Sequence, residues 1–324
     1  MVDNSKISNY KTCPRKYFYS YIFGWEGKMP NIHLVFGQAW HIAMEHLKLT
    51  GMTVQSVEQA VRKFEKHYRK YFSPAVDADN APKNLLGAAT GLDEYAIQYD
   101  NDDFEVMHTE VLAKVPISQD RNMIVRIDYI GKSERQFPGI FGMDYKTGQR
   151  YSTAWQRQWY TNSQMKLYTM ALQVYFGIIN KIFGMVVDGI IFYKAVQKDI
   201  GKRHRLVRIP LRVDDNMMNA WLFDINRWYS LLEEDMLQLA ESSKDDPVMT
   251  CFHKNEEACT MYGLCKFHPL CCIWANPLKE CEAPPQDFKI KWWNPIEPED
   301  KPPAKVVIAD GEIKDVQQED TNNE

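Results

Sequence analysis

Three strand-like segments follow one another between residues 104 and 146, and the last ends on a short charged motif. Segments 104–117, 122–131 and 139–146 are β-branched and aromatic and are separated by Gly, Pro and Ser. That pattern predicts a meander of consecutive strands. The third segment runs into Gly142-Met143-Asp144-Tyr145-Lys146-Thr147-Gly148. Side chains alternate along a strand, so Asp144 and Lys146 share one face and Met143 and Tyr145 the other. Asp128 lies on the preceding segment, where a meander can bring it beside Asp144. Helices are predicted before the strands, over 34–49, 54–72 and about 88–100. A long helix at 155–176, strands at 184–195 and 204–211, and a helix at 214–241 follow. The order predicts an α/β or α+β fold, a sheet flanked by helices.

Two convergent carboxylates suit a hard divalent cation such as Mg²⁺, which takes oxygen ligands. An ammonium on the same strand face can stabilise charge that develops on a phosphate. The competing reading is a surface Asp–Lys pair, because D-x-K is a short and common string. Two other segments bear on the choice. His41 and Glu45 are four apart on a predicted helix, and a neutral His can add a nitrogen ligand. Gln164 and Tyr168 share a face of the helix after the strands, and both can hydrogen-bond a phosphate or a carboxylate. Packing alone would also account for each of these.

Seven cysteines are an odd number, and six of them fall within 251–281. Such clustering favours metal ligation over a disulfide framework. Cys259, Cys265 and Cys271 are spaced by five intervening residues each, with Gly263 and Pro269 as turns. A fourth ligand is needed, and Cys13, Cys251, Cys272 and Cys281 are the candidate thiols. Zn²⁺ bound with His253 or His268 fits the spacing equally.

The net charge of −4 argues against a protein that coats nucleic acid through global positive charge. The charge is uneven, however. Residues 297–324 carry nine acids and three lysines, which leaves 1–296 at +2. Proline and acid content predict a disordered tail over 283–324. No membrane span and no secretory signal are expected, so the default location is the cytoplasm.

The motifs in order are Ser5-x4-Tyr10-x2-Cys13-Pro14-Arg15-Lys16, Gly37-x3-His41, Asp128 on a strand, Asp144-Tyr145-Lys146-Thr147-Gly148 and Gln164-x3-Tyr168. This order resembles the RecB-like branch of the PD-(D/E)xK nucleases over about 1–275. The resemblance implies a restriction-endonuclease-like core with a mixed central sheet, a helical N-terminal part and a Cys-rich C-terminal segment. A nuclease domain would span 1–282, with a helical insertion at about 50–102, a catalytic core at about 103–212 and the cluster segment at 251–281. His41, Asp128 and Asp144 would be metal ligands, with Glu110 a further candidate. Lys146 would be the catalytic lysine, and Gln164 and Tyr168 an auxiliary site motif. Cys13 would join Cys259, Cys265 and Cys271 around a 4Fe–4S cluster. That cluster would clamp the two ends of the chain, with Zn²⁺ as the alternative. The implied activity is a Mg²⁺- or Mn²⁺-dependent DNA exonuclease of recombination, repair or phage replication, in a bacterial or phage-infected cytoplasm. It would act on single strands or duplex ends beside a helicase or an annealing protein. Arg15 and Lys16 are candidate phosphate contacts, interleaved with Tyr10, Tyr17 and Tyr19. A non-catalytic DNA-binding subunit and a zinc-stabilised interaction protein are the other readings.

Overall fold

A computed structural model describes residues 1–261, 263–296, 304–309 and 312–316. The chain divides into two compact units. One holds 1–30, 116–124 and 219–298, and the other 31–115, 125–218 and 299–324. Among the described residues, no helix is long and apolar enough to cross a membrane.

In chain order the helices are α1 (Asn4–Thr12), α2 (Pro14–Tyr17), α3 (Ile32–Thr50), α4 (Val54–Tyr68), α5 (Asp77–Asn80) and α6 (Leu85–Tyr99), then α7 (Thr153–Arg157), α8 (Ser163–Phe176), α9 (Asp215–Glu241) and α10 (His268–Ile273). The strands are β1 (Trp25–Gly27), β2 (Glu105–Pro116), β3 (Asn122–Ser133), β4 (Gly139–Gly148), β5 (Ile182–Gln197), β6 (Lys202–Leu211), β7 (Phe288–Ile290), β8 (Val306–Ala309) and β9 (Glu312–Asp315).

The larger unit is built on a mixed sheet of order β6-β5-β4-β3-β2-β8-β9. The meander reads out as predicted: β4 pairs antiparallel with β3 and, through the α8 crossover, parallel with β5. Helices α3, α4 and α6 cover the sheet face that carries Tyr129, Met143 and Tyr145, and Phe36, Trp40, Phe64, Tyr68 and Phe192 fill the layer between. Helix α8 covers the other face, where Gly142 leaves room for the Met185 side chain of β5: a Cβ there would collide with its sulfur and touch Leu172 of α8. On the α3 side, Arg208 forks onto Asp102 with two bonds of 2.7 Å and donates to the Tyr95 hydroxyl at 3.1 Å. Tyr95 in turn donates to Asp188, so a buried polar network ties α6 to the sheet.

Two expectations need correction. The single helix at 155–176 is instead α7, a 3₁₀ turn and α8, because Asn162 caps α8 by accepting from the Gln164 and Met165 amides. The segment 283–324 is not wholly a disordered tail. Phe288–Ile290 pairs with β1, and Val306–Ala309 lies parallel to β2, where Val306 and Ile308 are buried. Val306-Val307-Ile308 is a strand-forming run inside an acidic, Pro-spaced stretch, and composition averaged over the whole stretch hides it. Residues 297–303, 310–311 and 317–324 lie outside the described residues.

The smaller unit joins the two ends of the chain around aromatic rings. Tyr17 stacks on Phe252, Tyr19 on Trp25 and Phe267 on Phe288. The Arg15 amide donates to the His253 carbonyl, and the Tyr10 hydroxyl donates to the Leu231 carbonyl.

Candidate functional site

Strand β4 carries the charged motif to one end of the sheet. The register Tyr129↔Met143, continued by one residue, sets Asp128 beside Asp144 on the α8 face. Asp144 is 1% exposed, and Lys146 Nζ stands 2.6 Å from its Oδ2. Burial drives the Asp144 pKa up. The Lys146 ammonium and His41 pull it back, Asp128 adds to the rise, and the net direction is upward.

The Asn162 cap places Gln164 in the first turn of α8, above this pair. Gln164 Nε2 donates to Asp144 Oδ1 at 3.4 Å and to the Tyr168 hydroxyl at 2.8 Å. Its Oε1 accepts from Lys146 Nζ at 3.3 Å. One amide therefore fixes lysine, carboxylate and phenol together. His41 reaches in from α3, on the other layer. Its Nδ1 lies 3.1 Å from Asp128 Oδ2 and its Nε2 2.8 Å from the Tyr145 carbonyl oxygen. The structure thus brings together six of the residues singled out in the sequence: His41, Asp128, Asp144, Lys146, Gln164 and Tyr168.

Glu110 is placed differently. Its carboxylate accepts from Arg126 Nε at 2.8 Å in a buried ion pair. Its backbone sits at φ 50°, a conformation that a non-glycine residue holds only at a cost. Arg126 lies two residues before Asp128 on the same strand face, so Glu110 stands next to the acidic pair through an arginine.

Sequence reasoning missed the Tyr145 carbonyl, because it followed side chains and this oxygen is main chain. It also missed the seat of Trp155. A Cβ on Gly189 or Gly148 would meet the Trp155 indole, so these two glycines form a shelf for the ring. Trp159 then lies 5.7 Å from Lys146 Nζ, centroid to nitrogen.

Among the described residues, no three His, Cys, Asp or Glu side chains are drawn into one formed cation cage. The donor chemistry at the end of β4 nevertheless fits a divalent ion. Two adjacent carboxylates, one of them disfavoured as an anion by the other, stand with a carbonyl oxygen and an imidazole. Hard oxygens suit Mg²⁺ or Mn²⁺, and the imidazole nitrogen is the softer member of the set.

In the smaller unit, Cys13 is buried at the start of α2, and its Sγ accepts from the Asn255 amide at 3.4 Å. Burial raises the Cys259 thiol, and neighbouring Cys265, Cys13 and Cys272 raise it further. Burial pushes Cys271 up to about 11, against the pull of Arg15 and Lys254 and with Cys13 and Cys265 adding to the rise. Cys13 and Cys265 are therefore electrostatic neighbours of both Cys259 and Cys271, and Cys272 is a neighbour of Cys259. Cys251 is buried, 3.8 Å from Ser242 Oγ, and Cys281 is exposed. Cys272 lies 3.8 Å from His268.

The expectation that Arg15 contacts phosphate fails on burial. The residue is 3% exposed, and its Nε donates to the Phe252 carbonyl at 2.9 Å. Its charge faces Cys271 instead. Lys16 is half-buried, within electrostatic range of Lys266.

Comparison with curated proteins finds no match. A solved structure titled "Crystal structure of SSO0001" is similar at 17% identity, covering 55% of this chain and 70% of that chain, with a TM-score of 0.25. A sequence model of the PD-(D/E)XK nuclease superfamily matches residues 4–272. With Asp128, Asp144 and Lys146 set at the end of the central sheet, this match places the chain in the PD-(D/E)XK nuclease superfamily.

Proposed function

We propose that the protein is a RecB-like DNA exonuclease that hydrolyses phosphodiester bonds with Mg²⁺ or Mn²⁺. The observation that carries this reading is the joined set of Asp144, Lys146 and Gln164 beside Asp128 and His41. His41, Asp128, Asp144 and the Tyr145 carbonyl would hold the divalent ion, which supplies Lewis acidity at the scissile phosphate. Lys146 stabilises the charge that builds on that phosphate. Gln164 keeps the ammonium aimed and Tyr168 keeps Gln164 in place. Asp128 anchors the imidazole of His41. Residues 297–324 carry a net −6 and leave 1–296 at +2, so a net charge of −4 is compatible with action on a polyanion.

End-labelled linear DNA and a covalently closed circle, each incubated with Mn²⁺, Mg²⁺ or EDTA, test this. Loss of the linear DNA alone, and only with metal, is the expected result. Cleavage of the closed circle at an equal rate would replace the exonuclease reading with an endonuclease. No cleavage under any metal would favour a DNA-binding subunit.

Cys13, Cys259, Cys265 and Cys271 are read here as ligands of a 4Fe–4S cluster. Cys13 and Cys265 both act on Cys259 and on Cys271, and four thiolates are the usual ligand set of such a cluster. Buried Arg15 would offset part of the negative charge of such a centre. Anaerobically purified protein is expected to contain iron and sulfide. Cys13→Ser should lose most of that iron and lower the melting temperature, and Cys281→Ser should change neither. A colourless wild type that contains zinc and no iron would overturn the cluster.

A further inference from the structure

Strand β5 outlasts its neighbour. β4 ends at Gly148 opposite Ile191, whereas β5 continues to Gln197, turns, and returns as β6 from Lys202. The outgoing arm bulges between Phe192 and Gln197, so the returning arm from Lys202 to Arg205 sets the reach: at about 3.3 Å per residue, the last paired rung lies roughly 10 Å past the strand end that carries Asp144 and Lys146. This finger gives little to the core: Ala195, Val196, Asp199 and Gly201 are exposed, as are Lys194, Lys198, Lys202 and Arg203. The one carboxylate of the finger, Asp199, is bonded to Arg205.

The base of the finger is joined to the catalytic lysine by a run of side chains. The Arg205 guanidinium lies over the Tyr151 ring at 4.6 Å. Tyr151 meets Trp155 at 6.1 Å, and Trp155 meets Trp159 edge-on at 5.6 Å. Trp159 faces Lys146. The finger thus stands at the same end of the sheet as the acidic pair. It presents four cations there and no exposed ring at its tip. Cations without a stacking surface suit phosphates and not bases.

We propose that the β5–β6 finger grips the sugar-phosphate backbone of the nucleic-acid substrate beyond the scissile position, without reading its sequence. The proposal rests on the nuclease reading for its substrate, and it can be tested separately. The full-length K194Q/K198Q/K202Q/R203Q variant is compared with wild type for binding of a DNA duplex in EDTA over a series of salt concentrations. A control, R62Q/K63Q/K66Q/K70Q, removes the same charge from exposed positions of α4 and the turn that follows it. Hydrolysis of thymidine 5′-(p-nitrophenyl) phosphate with Mn²⁺ reports the site without the finger.

The finger variant is expected to bind DNA about 30-fold more weakly near 0.1 M salt. Its slope of log K against log salt should be shallower by about 3.6, since each of the four phosphate contacts contributes roughly 0.9. The control should keep the wild-type slope, and both variants should keep the wild-type rate on the small ester. Equal slopes for wild type and finger variant would overturn the proposal. So would an equal fall in the control, or a loss of small-ester hydrolysis in the finger variant. If wild type cleaved neither DNA nor the ester, the nuclease reading would fail, and the binding slopes would still decide the finger.

Discussion

Lys146→Met is expected to lower DNA hydrolysis by about 10³-fold, the scale of removing one preorganised charge from a phosphate in the transition state. Asp144→Asn should reach the same floor by a different route, by removing a carboxylate from the acidic pair. Folding separates these losses from trivial damage. Asp144 is buried beside Asp128, and both burial and that neighbour disfavour its ionised form. An amide of the same shape escapes that penalty, so Asp144→Asn in EDTA should melt at or above the wild-type temperature while remaining inactive. A variant that is inactive and also less stable would leave the catalytic role unsupported. Gln164→Met should be milder, about tenfold, because Gln164 orients Lys146 and meets no reacting atom. If Lys146→Met degraded DNA at the wild-type rate, the site would have to be sought elsewhere.

How much of this site the sequence revealed depended on the range of each interaction. Asp144 and Lys146 were legible because a strand alternates with period two, and Asp128 because a meander makes sequential strands neighbours. Gln164 and Tyr168 were legible from the i, i+4 spacing of a helix. His41 was marked by its i, i+4 spacing with Glu45, but only the resemblance to a known motif joined it to Asp128 and Asp144. Nothing local says that a helix more than 80 residues before Asp128 will bring its imidazole across the sheet edge. Arg15 was misjudged because a cation among tyrosines reads as a surface patch, whereas here the rings are the core of the smaller unit. The strand at Val306–Ala309 was lost to averaging. The β5–β6 finger was hidden because its strands were predicted shorter at the tip, over 184–195 and 204–211, and the overhang comes from register with β4.

Lys83 belongs with the residues that sequence could not place, since Ala81-Pro82-Lys83-Asn84 reads as an ordinary turn. The structure buries it to 3% exposure beside the charged motif. Its Nζ donates to Thr147 Oγ1 at 3.0 Å and lies 5.5 Å from the centre of the Phe36 ring. Among the described residues, no carboxylate stands within ion-pairing distance of it, and burial pushes its pKa down to about 8. The sign follows from linkage. Above the unfolded value of about 10.5 the amine is neutral in both states and costs nothing; below about 8 it is charged in both states and the folded protein bears the full penalty. Lys83→Met keeps the length of the stem and removes the charge. It is therefore expected to stabilise the larger unit by about 3 kcal/mol at pH 7, less the lost bond to Thr147. The gain should shrink from pH 8 upward and vanish near pH 10.5. Urea unfolding of both proteins at pH 7 and pH 10.5 measures it. A Met variant that is less stable at pH 7, or a difference that stays constant with pH, would show that Lys83 is not carried as an uncompensated charge. The expected outcome would mean that the fold tolerates a buried cation at Thr147, one residue beyond Lys146, at a cost larger than most single surface contacts can offset.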